Sequence, residues 1–100
     1  MTRKNFVTQI KIELLEHGGK ISPDFIQNLL NHPETKVLHS ELMSSTRVCV
    51  IVLPTGHNAV GVAQVLDPNN DVESIGQSVA YKNAAGDVWS IVGNVAKGLI

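Results

Sequence analysis

Arginine is nearly absent from this chain: Arg3 and Arg47 are the only two in 100 residues, and the lysines are scattered. Binding a long nucleic acid means neutralising several phosphates, which needs a clustered cationic surface. With a net charge of −1 the chain offers none, so DNA and long RNA are excluded as expected partners. A small anionic ligand, met by one or two cations, is not excluded. Cysteine is limited to Cys49, so no disulfide framework can form, and its place inside an apolar run marks it as a reduced core residue. No apolar run approaches the roughly 18 to 20 residues that span a bilayer. Near the N-terminus Gln9, Lys11 and Glu13 interrupt the apolar residues, leaving no signal-peptide core. A cytoplasmic protein is expected.

What the chain does have is hydrophobic content, 43% against 17% charged, enough for one folded domain spanning 1–100. Phe6, Ile10 and Leu14 recur every four residues and predict an amphipathic helix over 3–17. Gly18-Gly19 ends it with a left-handed cap. Ser22-Pro23 begins a second helix, over 23–31: serine as N-cap, proline where its missing N–H costs nothing. Phe25, Ile26, Leu29 and Leu30 form its apolar face, and the pair makes a helical hairpin. Residues 34–44 fit helix or strand, with the later half leaning to strand.

Val48–Leu53 is a run of β-branched and other apolar residues suited to a strand covered on both faces. Pro54-Thr55-Gly56 turns the chain, which predicts an antiparallel hairpin of strands at about 47–53 and 57–66. On the second strand Ala59, Gly61 and Ala63 share one face, so another backbone can approach closely there. Asp67-Pro68-Asn69-Asn70 leaves the sheet. Asn70 is the expected N-cap, with Glu73 completing a capping box, of a long helix over 71–97. The fold class is therefore α+β: a small antiparallel sheet packed with the long C-terminal helix and the N-terminal helical hairpin.

The long helix has more apolar arc than a monomer of this size needs. Ala80, Ala84, Val88, Ile91, Val95 and Leu99 form one stripe, and Asn83, Asp87, Ser90, Asn94 and Lys97 a polar arc. Ile75, Trp89, Ala96 and Ile100, with Gly86 and Gly93, lie on the far side. One face should meet the sheet. The other should meet the N-terminal helices or, preferably, a second subunit. Gly86 is a candidate kink.

Catalytic chemistry is thin. His17, His32, His39 and His57 lack metal-ligand spacing, no phosphate-binding glycine loop exists, and Ser44-Ser45-Thr46 lacks the glycines of a nucleophile elbow. Asp67, Glu73 and His57 are the best acid–base candidates, with no nucleophile beside an oriented base. Neither an enzyme nor a bound cofactor or metal is expected. Asp71 and Glu73 already satisfy the positive end of the long helix, so an anion would sooner meet Arg47, Lys82 or Lys36.

From Val48 to Trp89 the chain resembles a family of small tailed-phage proteins. The resemblance rests on C-V-x-x-L at Cys49–Leu53, Gly56 and Gly61, Asp67-Pro68 with Asn70, Ile75-Gly76, Ala80, Asn83-Ala84 and Trp89. It covers the core over 46–100; the helices of 1–33 are outside it. Some members of that family are Thoeris anti-defence proteins, which sequester cyclic ADP-ribose immune signals. The resemblance implies a protein of the infected host's cytoplasm that assembles as dimers, or as a hexamer of them. It would hold a cyclic nucleotide uncleaved between subunits. The expected ligand residues are His57, Asp67, Asn70, Tyr81, Lys82 and Arg47. His57 stands where the family usually has phenylalanine and Tyr81 where it often has arginine, departures that leave open a changed ligand preference or loss of the sequestering activity. The alternative is a protein-interaction module that inhibits a host protein through the exposed helix face.

Overall fold

In the computed structural model, residues 3–42, 46–64 and 73–98 are described. Helices α1 (Arg3–Glu16) and α2 (Pro23–Leu30) precede strands β1 (Lys36–Leu42), β2 (Thr46–Val52) and β3 (Asn58–Gln64), and helix α3 (Glu73–Lys97) follows. The sheet is antiparallel in the order β1-β2-β3, so the expected α+β architecture is present and the ambiguous segment before the hairpin supplies a third strand.

The local rules act where the sequence places them. Gly18 and Gly19 both take positive φ, and the Gly19 N–H donates to the Leu14 carbonyl, closing α1. The Ser22 hydroxyl accepts from the Phe25 N–H at the start of α2. At the hairpin, Gly56 has φ 87°, and the Gly56 and Leu53 N–H groups close the turn on Leu53 and His57 carbonyls. The Asp67-Pro68 loop and the Asn70 cap, and with them the capping box that was to join Asn70 to Glu73, involve residues outside the described ones.

The core lies between the sheet and α3 and continues under α1 and α2, where Phe6, Ile10, Ile26 and Leu29 are buried. On the sheet, Arg47, Cys49, Ile51, Ala59, Gly61 and Ala63 face α3 and are buried. The reverse side is bare among the described residues. Val48, Val50 and Val52 are half-buried, and Val60 and Val62 exposed. The expectation that the β2 run is covered on both faces is thus corrected. Six apolar residues in a row permit two covers but do not require them.

The buried row of α3 is Gly76, Ala80, Ala84, Val88, Val92 and Ala96. A step of four residues advances about 40° around a helix, so the row winds slowly. Along α3 lie its contacts with the sheet and with α1 and α2. The winding explains one misplacement: Ala96, expected on the far side, is buried, while Ile91 and Val95 of the expected stripe are half-buried against the core. Gly86 does not interrupt the helix, which runs unbroken through it.

Candidate functional site

Gly61 decides how α3 meets the sheet. A β-carbon there would lie 2.1 Å from the Ala80 carbonyl oxygen and 2.2 Å from the Ala84 nitrogen. With Ala59 and Ala63 beside it, the small face lets the two backbones touch. The same closeness brings side chains of α3 to the outer edge of β3. Asn83 donates Nδ2–H to the Val62 carbonyl at 2.9 Å, and the Val60 N–H donates to Asp87 Oδ2 at 3.1 Å. Asn83 and Asp87, two residues of the polar arc, are edge caps.

Arg47 is the buried cation of the described residues, 7% exposed. Its stem crosses Gly76, where a β-carbon would come within 2.8 Å of Arg47 Cγ. Its Nη1 reaches Glu41 Oε1 at 2.7 Å, directly across the β1–β2 ladder. The half of the sequence motif written Ile75-Gly76 thus has a structural reason: the glycine makes room for the arginine.

His57 sits at the opposite end of the hairpin. Its Nδ1 is 2.6 Å from the Thr55 hydroxyl, and its ring is tilted against Phe6 of α1 with centroids 5.8 Å apart. Arg47 and His57 are separated by most of β2, about 20 Å at the rise of an extended strand. Tyr81 is half-buried against the core, and Lys82 is exposed. Within one chain the predicted ligand residues are therefore strung along the sheet and helix. Asp67 and Asn70 lie outside the described residues.

Opposite the buried row, α3 presents Ile75, Val79, Gly86, Trp89 and Gly93 on one arc, with Lys82 in its middle. Ile75 is 61% and Trp89 42% exposed. A groove of about 210 Å³ between α1 and α2, lined by Gln9, Phe25, Asn28, Leu29 and His32, is smaller than ligand pockets, which run from about 300 Å³ upward. Glu13, Glu16 and His17 bring ligating atoms within 4.8 Å of one another, but Glu13 is committed to Ser22, accepting from its N–H at 3.0 Å and from its hydroxyl. Cys49 is fully buried, and burial pushes its thiol pKa up, as expected of an inert core cysteine. No helix among the described residues is long and apolar enough to cross a membrane.

A model of one protein family, described as phage protein (N4 Gp49/phage Sf6 gene 66) family, matches residues 4–99. The match takes in α1 and α2, which the sequence resemblance had left out. No curated protein and no solved structure matches the chain.

Proposed function

Since the chain belongs to the phage protein (N4 Gp49/phage Sf6 gene 66) family, we propose that it acts in the infected host's cytoplasm as an anti-defence protein that binds and sequesters a cyclic nucleotide signal. The ligand class is a cyclic ADP-ribose isomer or a related cyclic oligonucleotide, held between subunits and released unchanged. The observation that carries this reading is the outward face of α3: Ile75, Val79 and Trp89 are exposed on one arc around Lys82. An apolar strip with a cation at its centre suits a subunit contact that leaves a positive charge at a shared cleft. The spacing of Arg47 from His57 fits the same picture, because a ligand of this size could use both only if they came from different copies.

Sequestration asks for tight ground-state binding and no transition-state stabilisation, so no acid, base or nucleophile is assigned. Within the cleft His57 would stack on a base, and Tyr81 and Lys82 would meet ribose or phosphate. Arg47, held by Glu41, would supply a second positive charge, and Asp67 or Asn70 would read a hydroxyl or base edge.

Melting curves with and without cyclic ADP-ribose isomers and cyclic dinucleotides test the proposal. Ligand at about 100 times its Kd should stabilise the protein by about 2.7 kcal/mol, and the nucleotide should be recovered intact after denaturation. His57→Ala and Lys82→Ala should each abolish that rise and leave the assembly unchanged. The same exposed face supports a second reading, inhibition of a host protein docking on α3. That reading predicts no melting shift with any cyclic nucleotide and loss of host-protein capture in Trp89→Ala.

A further inference from the structure

The two edges of the sheet are treated differently. β3 is closed by α3, through Asn83 on the Val62 carbonyl and Asp87 on the Val60 N–H. β1 is open: all seven of its residues are exposed, and the elements packed on the sheet lie over β2 and β3. Each side of this strand exposes apolar surface among polar residues: Val37, 41% exposed, beside His39 and Glu41 on the α3 side, and Leu38, 57% exposed, beside Lys36 and Ser40 on the other. Native edges of this kind are usually covered, charged or paired.

The edge-capping bonds also fix which β1 groups face outward. Val60 and Val62 turn their backbone groups away from β2, so alternation along an antiparallel ladder gives Ala59, Gly61 and Ala63 the bonds to β2. Their partners Ile51, Cys49 and Arg47 are then used on that side. Val52, Val50, Val48 and Thr46 bond β1 through Lys36, Leu38, Ser40 and Leu42. The N–H and C=O groups of Val37, His39 and Glu41 are left pointing along the open edge.

We propose that this edge is where a second copy of the chain adds, β1 to β1, antiparallel about a twofold axis through Ser40. In that register His39 of each copy faces Glu41 of the other, twice over, on the α3 side. Leu38 faces Leu42 twice on the reverse side, and the outward-pointing backbone groups of His39 and Glu41 exchange hydrogen bonds. Glu41 is already held in place by Arg47 Nη1 at 2.7 Å. Centring the axis on His39 instead would oppose two histidines and set Val37 against Glu41. Centring it on Glu41 would oppose two carboxylates. Moving the axis by half a residue would set core-side residues against outward ones. Of these axes, the one on Ser40 alone sets His39 against Glu41 and leucine against leucine.

The product is a six-stranded sheet whose reverse face joins Leu38, Val48, Val50, Val60 and Val62 of both copies. Its reverse-side positions carry one charge per copy, Lys36, which disfavours a charged partner in this place.

The pairing is independent of the nucleotide reading, so it is tested on the full chain without ligand. Ser40→Cys should form a disulfide-linked dimer in high yield on mild oxidation, because non-hydrogen-bonded antiparallel neighbours stand about 4.5 to 5.5 Å apart. Cys49 is buried and does not compete. Gln27→Cys, exposed on α2 and outside both the β1 edge and the outward face of α3, should cross-link poorly. His39→Pro removes an outward N–H without touching the β1–β2 bonds and should halve the mass measured by light scattering. His39→Glu, which retains every backbone bond, should raise the dimer dissociation constant at least about ten-fold. A parent monomeric at about 100 µM, equal cross-linking of the two cysteine variants, or an unchanged dissociation constant in His39→Glu would each overturn the proposal. If β1 pairing is found but no cyclic nucleotide raises the melting temperature, this inference stands and the proposed function fails.

Discussion

Gly61 of β3 and Ala80 of α3 meet backbone to backbone, and a β-carbon on the glycine would stand 2.1 Å from the alanine's carbonyl oxygen. Neither neighbour is a side chain that can swing away, since the next contact is the Ala84 backbone nitrogen at 2.2 Å. Gly61→Ala must therefore lift α3 off the sheet, and should cost at least about 3 kcal/mol. Gly86→Ala is the control. Its β-carbon meets nothing within 4 Å in the chain, so at dilutions where the protein is monomeric it should gain about 1 kcal/mol from helix propensity. Circular-dichroism melts separate the two: Gly61→Ala should lose its cooperative transition near room temperature, and Gly86→Ala should melt about 4 to 8 °C above the parent.

The same close approach positions Asn83 and Asp87 on the free edge of β3, and the polarity of each bond gives a sharper test than truncation alone. Asn83 donates to a carbonyl and Asp87 accepts from an N–H. Asn83→Ala and Asp87→Ala should each cost about 1 kcal/mol. Asn83→Asp, which sets a carboxylate against the Val62 carbonyl, should cost more than Asn83→Ala. Asp87→Asn, which keeps an acceptor oxygen, should cost less than Asp87→Ala. Urea denaturation of the four variants gives the order directly. An Asn83→Asp variant as stable as Asn83→Ala would mean the side chain faces solvent.

Much of this architecture was legible in the residues because it is encoded locally. Ser22-Pro23 announces a helix start, Pro54-Thr55-Gly56 a hairpin, and the alternation through Ala59, Gly61 and Ala63 a close packing face, all of which the structure bears out. Less legible was anything that depends on which element lies opposite. Asn83 and Asp87 read only as members of a polar arc, because a helical wheel cannot show the strand edge beside them. Ala96 was misplaced because the wheel assumed one straight stripe where the buried row, stepping by four residues, winds around the helix. The packing of Arg47 over Gly76 and its pairing with Glu41 depended on the register of β1, which the ambiguous segment did not reveal. One signal was available: a glycine directly after Ile75, early in a helix, with no turn to explain it.

Glu13 links α1 to the start of α2, and its titration gives a pH dependence of known sign. The Ser22 hydroxyl bond is the main cause holding its pKa below the usual 4.5, helped by the Ser22 N–H and His17, with burial opposing. A carboxyl depressed on folding stabilises the native state above its unfolded value, and that contribution disappears as pH falls through the lower folded value. Near neutral pH Glu13→Gln should be less stable than the parent by about 1 kcal/mol. The gap should close as both are acidified below about pH 4. A gap that stays constant between neutral and acidic pH would show that Glu13 acts there through shape alone. Ser22→Ala should lose more than Glu13→Gln, because the same hydroxyl also caps α2 at Phe25.

Trp89 is the sole tryptophan of the chain, 42% exposed on the outward face of α3, so its emission reports directly on what covers that face. If a second subunit packs there, emission should shift to the blue and iodide quenching should fall as concentration rises. Trp89→Ala should then weaken association at least about ten-fold, as removal of a buried aromatic anchor does. Its effect on the melting of diluted monomer should be small, because a half-wet ring contributes little to the core. The β1 edge lies away from this face, so the two contacts can be told apart. In Ser40→Cys dimers locked by oxidation, any further concentration-dependent blue shift must come from α3. Emission that does not move with concentration, in the parent or in the locked dimer, would leave the helix face uncovered and remove the shared cleft on which nucleotide sequestration depends.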